Sequence, residues 1–441
     1  MMNPILPLWE YIPDGEPRVF GDRVYLYGSH DRPGAPDFCD HKLKVWSASV
    51  DDLNNWQCHG DSFRTQAGER PADTPWTDKE CYAPDVVENK GKYYLYSYIV
   101  GSKGAIGVAD RPEGPFRLLS QYKTDGAEVG DEGTFNDAGV LVDDDGKVYV
   151  YYGYLQSHMN ELDGNDMCTV LPGSYQHSVI KDDDNEPKES RFFEASSPRK
   201  VNGKYYLIYS CRICPRLAYA VSDSPTGPFE YKGYIIDAGV DYPGGNDHGS
   251  IVCIKGQWYV FYHRMTNNTI MSRRACVEKI EILPDGTIPP VEMTSLGFED
   301  SLDAYKIYPA EIACLLKGGC FITEKDLFTR TVSNITDGCI LGYRYFDFGT
   351  DYTGDSMQIA MKIKGMGTYS KVRILLDSYE DGEEIGCVEI GLGDGVYKGR
   401  IKNVTGRHAV YFKCEHGVEG WTKEYFDGKQ LFELEEFTFI K

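Results

Sequence analysis

Five ionisable residues stand six to nine positions ahead of five similar glycine turns, and their types suit proton transfer. They are Asp14 in PDGEPRVF, Asp85 in YAPDVVEN, Asp137 in FNDAGVLVD, Glu194 in FFEASSPRKV and His248 in NDHGSIVCI. One Asp before a strand is unremarkable, because PDG and APD are good turn sequences and Asp caps turns through its own side chain. Five at equivalent positions form a pattern. Carboxylates gathered where water is limited shift one another's pKa values, so that one can hold a proton while another stays ionised. Glu194 carries the clearest local signal: Phe192 and Phe193 disfavour its charge, and Ala195, Ser196 and Ser197 leave room beside it. Each residue also has a plainer reading. Glu194 alone reads as a solvated turn carboxylate, Asp137 as a structural residue bonding backbone amides, and His248 as a hydrogen-bonded core histidine.

The elements that must position these residues are repeats. FGDRVYLYGSH, NKGKYYLYSYI, DDGKVYVYYGY, VNGKYYLIYSC and IKGQWYVFYHR each begin with a glycine turn and continue as alternating aromatic and β-branched residues. Their glycines, Gly21, Gly91, Gly146, Gly203 and Gly256, are spaced by 70, 55, 57 and 53 residues. That spacing accommodates a four-stranded antiparallel sheet with its loops, which is one propeller blade. VADRPEGPFRLL and AVSDSPTGPFEYKG follow their strands at nearly the same offset, and SASVDDLNNWQCHG takes the equivalent place after the first. The fold expected is all-β, with five blades spanning roughly residues 3 to 295. In a propeller the strand before each turn is the innermost, and its start points into the central channel, where the five ionisable residues would meet. A β-sandwich with coincidental hairpins is the alternative.

Composition limits the partners. The 441 residues carry a net charge of −22, from 46 basic and 68 acidic side chains. Such a chain repels phosphate backbones and anionic lipid, so neither nucleic acid nor membrane is expected as a partner, and neutral ligands are the easier ones. The thirteen cysteines are an odd number; they read as reduced thiols rather than as a disulfide framework. The opening MMNPILPLWEYIPDGEP lacks a basic n-region and a long apolar h-region. A cytoplasmic location is therefore expected, or secretion if a leader has been trimmed. The oligomeric state is left open.

The five-repeat pattern and its carboxylates resemble glycoside hydrolase family 43, the five-bladed arabinofuranosidases and xylosidases, over about the first 300 residues. The resemblance implies a general base at Asp14 in IPDGEP, a residue orienting the acid and tuning its pKa at Asp85 in YAPDVV, and a general acid at Glu194 in FFEASSP. It implies further that His248 lies on the axis as the candidate metal-associated residue, with a structural calcium possible and no cofactor required for the chemistry. Arg264 in YHR is implied to reach the bound sugar; pairing with a channel carboxylate is its plainer reading. Asn136 and Phe193, next to two of the carboxylates, are further substrate-binding candidates. So is Trp76 in PADTPWTDKE, as a ring that stacks on a sugar face, or else as a core residue. This chain has EASSP where the family's acid motif is commonly EGPH-like, and IPDGEP where the base motif usually reads ADP. Both departures lie beside the sugar and bear on the substrate more than on the chemistry. The fructan hydrolases share the architecture but carry NDPNG and RDP motifs, both missing here.

The implied reaction is inverting, exo-acting removal of terminal pentose from arabinose- or xylose-containing oligosaccharides. An α-L-arabinofuranosidase is the first expectation, with β-xylosidase, β-galactofuranosidase or a non-catalytic sugar-binding propeller as alternatives. After residue 297 the repeat stops. Residues 298–441 contain alternating segments such as DSMQIAMKIKG, IGCVEIGLG and HAVYFKCEHG, which predict a jelly-roll-like β-sandwich. It resembles a family 6 carbohydrate-binding module through YPAEIAC and LFELEEFTFIK. A packing domain that shapes the propeller rim is the alternative.

Overall fold

The computed structural model describes residues 2–102, 104–183 and 185–441. Five antiparallel sheets of four, four, four, four and three strands follow one another along the chain, each running from the axis outward in sequence order. Their innermost strands are Glu16–Phe20, Cys81–Asn89, Gly139–Val142, Phe192–Val201 and Ser250–Ile254. The turn after each is built by the repeat glycine. All five have φ between 61° and 87°, a region that favours glycine. A Cβ would meet nothing within 4 Å at any of them, so the requirement is backbone conformation and not space. The alternating tyrosines then pack between blades: Tyr25 and Tyr27 lie in one cluster with Val86 and Leu95, and Tyr149 and Tyr151 in another with Leu207 and Phe229.

The ring is closed by the N-terminal segment. Ile5 donates its amide to the Ala275 carbonyl at 2.9 Å. The Asn3 side chain bonds both the amide and the carbonyl of Val277, at 2.9 and 2.8 Å. Along the axis, ion pairs link the inner strands. Arg18 binds Asp85 through Nε at 3.0 Å and Nη2 at 2.7 Å, and Val140 donates its amide to the same carboxylate at 2.7 Å. Arg199 pairs with Glu16 and donates to the Ile251 carbonyl at 2.8 Å.

Beyond the last blade, twelve strands between Leu302 and Ile440 form one continuous sheet curled on itself in a sandwich-like layer. A single buried cluster runs from Ile236, Ile251 and Tyr262 of the last two blades into Leu316, Leu341 and Phe437 of this second domain. All thirteen cysteines are free thiols. They include Cys211 and Cys214 of CRIC, which have the two-residue spacing of a thiolate pair, and burial pushes both thiols up.

Candidate active site

At one end of the axis lies a cavity of about 280 Å³ whose lining includes Asp14, Asp137, Glu194, His248 and Arg273. Asp14 follows Pro13 and has φ 56°. The segment before it runs so close to Gly28 that a Cβ there would meet Ile12 Cγ2 and the Pro13 carbonyl at 2.5 Å. Asp14 Oδ1 accepts from Arg273 Nη1 at 2.9 Å, and Oδ2 from the Ser29 hydroxyl at 2.6 Å. Burial acts to raise its pKa, but the Arg273 charge, aided by His248 and Ser29, outweighs this and holds Asp14 below the usual carboxylate range. Asp31 aims the arginine: its two oxygens accept from Nε and Nη2, each at 2.9 Å. Phe38 stacks on the guanidinium with 5.0 Å between Cζ and the ring centroid. His263 is kept neutral, its pKa pushed down to about 3 by burial and by Arg273. Its Nδ1 accepts the Asp14 amide at 3.3 Å, and Nε2 donates to the Asn246 carbonyl at 3.0 Å.

Glu194 and Asp137 are tuned in the opposite direction. Glu194 sits where its strand twice loses register with its partner, between Phe192 and Ser197, and Ala195 takes φ 70°. Such bulges re-aim side chains. Burial and then the negative Asp14 raise Glu194 to about 7. Asp137 is also raised to about 7, by burial and then by Glu194. At neutral pH the cavity therefore contains an ionised Asp14 opposite a pair of carboxyls that retains a proton. His248 Nδ1 lies between them, 3.8 Å from Asp14 Oδ1 and 4.0 Å from Asp137 Oδ2.

Several sequence expectations are corrected by this geometry. Asp85 does not line the cavity; it staples three inner strands through Arg18 and Val140. The reason is depth. Glu194 and Asp137 each stand nine residues before their turn glycines, whereas Asp85 stands six before Gly91. Three residues of strand amount to roughly 10 Å along the axis. The residue nine before Gly91 is Tyr82, and it does line the cavity. Arg264 is also elsewhere, buried against Tyr262, Glu278 and the Thr294 carbonyl. Arg264 pairs with Arg274 across the strands and shares its face, while Arg273 faces the cavity. Trp76 is a surface residue whose Nε1 donates to Ser102 at 2.9 Å. Phe193 does not line the cavity but supports Tyr154, which does, with ring centroids 5.4 Å apart.

Asn136 lies in the cavity lining, and its buried Oδ1 has no partner within the protein. His248 is on the cavity wall without a metal cage. Among the described residues no group of three or more His, Cys, Asp or Glu side chains is arranged to hold a metal. Calcium takes about six to eight oxygen ligands, and beside Asp14 the positive charge is already supplied by Arg273. The described side chains here do not form a carboxylate cage of the kind that holds calcium. The sequence reading missed Arg273, Tyr82, Tyr98, Tyr154 and Asn246 as cavity residues. The nine-residue offset would have found Tyr82.

A five-bladed propeller whose cavity is lined by carboxyls tuned in opposite directions is suited to acid/base chemistry. Residues 1–288 match the family described as Glycosyl hydrolases family 43, and the chain belongs to that family and is a glycoside hydrolase. It is similar to a xylosidase/arabinosidase of Thermoclostridium stercorarium, 35% identical, over 93% of this chain and 95% of the relative. Among solved structures it resembles a beta-xylosidase/alpha-arabinofuranosidase from a compost microbial metagenome, in complex with xylotriose and in calcium-free form. That likeness has a TM-score of 0.55 and 28% identity, covering 66% of this chain and 98% of the other. A family 43 enzyme of Xanthomonas citri complexed with xylose matches at TM-score 0.56 and 26% identity, over 66% and 93% of the two chains.

Proposed function

We propose that this enzyme removes terminal pentose residues from xylose- and arabinose-containing oligosaccharides with inversion, using Asp14 as general base and Glu194 as general acid. The observation that carries the reading is their opposite tuning. Asp14 is held low by Arg273, while Glu194 is raised to about 7. Cleavage requires a proton on the glycosidic oxygen while a water is activated on the other face of the sugar. In this reading Glu194 gives its proton to the leaving oxygen and Asp14 takes one from the attacking water. In the same reading Asp137 takes the tuning role expected of Asp85, because coupling between two buried carboxyls is reciprocal and each opposes the other's ionisation. Asn136, through its unpartnered Oδ1, and Arg273 are assigned to the sugar hydroxyls.

Exo action is supported by size, since about 280 Å³ lies just below the roughly 300–1,000 Å³ typical of ligand pockets. Pentose preference is supported by the relatives, whose names combine xylosidase with arabinosidase. The test is hydrolysis of p-nitrophenyl α-L-arabinofuranoside, β-D-xyloside and β-D-galactofuranoside by wild type, Asp14→Ala and Glu194→Ala, with NMR of the first-formed anomer. Release of a pentose of inverted configuration, lost in both variants while they stay folded, is the expected result. Preference for the galactofuranoside would overturn the pentose assignment, and a retained configuration would overturn the single-displacement mechanism.

A further inference from the structure

The second domain grips one side of the cavity and not the other. Tyr11, three residues before Asp14, donates its hydroxyl to Glu324. Its ring lies under Arg330, 5.5 Å from Cζ to centroid. Arg330 also pairs with Glu324 at 3.1 Å and donates to the Leu8 carbonyl at 2.6 Å. Between Tyr11 and Asp14 stand only Ile12, packed on Gly28, and Pro13 with its fixed φ. The close approach to Gly28 and the fixed φ of Pro13 leave this segment few ways to absorb a shift.

A second grip acts through strand alternation. Arg273 and Arg274 are adjacent on the strand Thr269–Ile280, so their side chains point to opposite faces. Arg273 binds Asp14, and Arg274 pairs with the buried Glu311 of the second domain. The third grip is on the loop carrying Asn246 and His248. At its base Asp241 accepts from the Tyr379 hydroxyl at 2.6 Å, pairs with Lys317 at 3.2 Å, and receives the Leu316 amide on its carbonyl at 2.7 Å. Around Asp137 and Glu194 the hydrogen bonds of the described residues stay within the propeller: Gly153 to Asn136, Tyr154 to Asp131, Leu155 to Phe193 and Arg212 to Phe192.

We propose that the second domain is a positioning element of the active site, holding the Asp14, Arg273 and His248 side of the cavity through Glu324, Arg330, Glu311 and Asp241 contacts. Loosening that grip moves Asp14 and Arg273 relative to each other and leaves Glu194 and Asp137 in place. The inference rests on the reading of Asp14 as the base. Asp14 faces Arg273, His248, His263, Asp137 and Glu194. Arg273 is the largest of the groups that hold it ionised. A slackened arginine therefore lets Asp14 take up a proton at higher pH.

The test uses the full chain with Tyr11→Phe, Glu324→Gln and Glu311→Gln, and Asp14→Ala alongside. Tyr11→Phe keeps the ring and removes one hydroxyl, so it serves if Glu311→Gln, which leaves Arg274 without its carboxylate, fails to fold. The readouts are thermal midpoint and the pH dependence of kcat/KM on the preferred aryl glycoside. The expected result is a loss of roughly tenfold in kcat/KM, with the acidic limb moved to higher pH. Folded variants with wild-type kcat/KM and both limbs in place, beside an inactive Asp14→Ala, would overturn the inference alone. An active Asp14→Ala would overturn the base assignment and the inference with it.

Discussion

Replacing Asp137 by Asn keeps the side chain's size and removes a negative charge from the neighbourhood of Glu194. Glu194 stands at about 7 against an ordinary 4.5. At about 1.4 kcal/mol per pKa unit, that is about 3 kcal/mol in favour of the protonated acid. Burial supplies the largest share and Asp14 a further part. Asp137, raised by burial and by Glu194 itself, competes with Glu194 for the proton that the pair retains. A carboxylate neighbour opposes ionisation, so deleting it makes Glu194 the stronger acid. By reciprocity with the rise that Glu194 causes in Asp137, the alkaline limb of kcat/KM, which reports the free enzyme's acid, is expected to move down by about one pH unit, or about 1.4 kcal/mol. At pH 7 the protonated fraction of Glu194 then falls from about one half to about one tenth, and activity about fivefold. The loss should be larger on a xylo- or arabino-oligosaccharide than on a p-nitrophenyl glycoside, whose leaving group has less need of a proton. The assay is a pH series of kcat/KM for both substrates. An alkaline limb that stays in place or moves up would refute the tuning role of Asp137.

Glu194→Gln should stabilise the protein in a pH-dependent way. A carboxyl raised to about 7 in the folded state favours folding most below its unfolded value, and that contribution is lost as pH rises through the folded one. The variant, neutral throughout, is thus expected to gain about 1–3 kcal/mol on the wild type between about pH 5 and pH 8; a difference in thermal midpoint that does not change with pH would contradict this. Asp85→Asn and Arg264→Met should each lower stability, by about 3–5 kcal/mol for a broken buried pair, without displacing either limb of the pH profile. Displaced limbs would return those residues to the chemistry. Asn136→Ala is expected to raise KM roughly three- to tenfold with kcat nearly unchanged, the effect of one lost hydrogen bond to substrate. An unchanged KM would remove Asn136 from the sugar site.

The repeat architecture was legible because it depends on local rules. Glycine in the left-handed region makes each of the five turns, and alternation of aromatic and β-branched residues makes each strand that follows. Glu194 was legible for a similar reason, since Phe192 is buried beside it and the small residues Ala195, Ser196 and Ser197 follow it in the chain. The second domain's strands followed from the same alternation, but its hold on the cavity did not. Tyr11 to Glu324 and Arg274 to Glu311 are contacts between residues far apart in sequence, and no local pattern marks them.

What the sequence determined by itself was the number of blades, the end of the axis where carboxylates gather, and the kinds of group available for proton transfer. Only the tertiary structure decided which of them meet. Asp85 and Asp137 look alike as an Asp before a strand, yet three residues of strand separate a channel staple from a cavity wall. Arg264 and Arg273 are both arginines of the last blade, and register alone turns one toward Glu278 and the other toward Asp14. The physical reason is the geometry of a strand. Each residue advances about 3.3 Å and reverses the face presented. A motif that fixes composition but not offset therefore leaves both depth and direction to be settled by pairing and bulges.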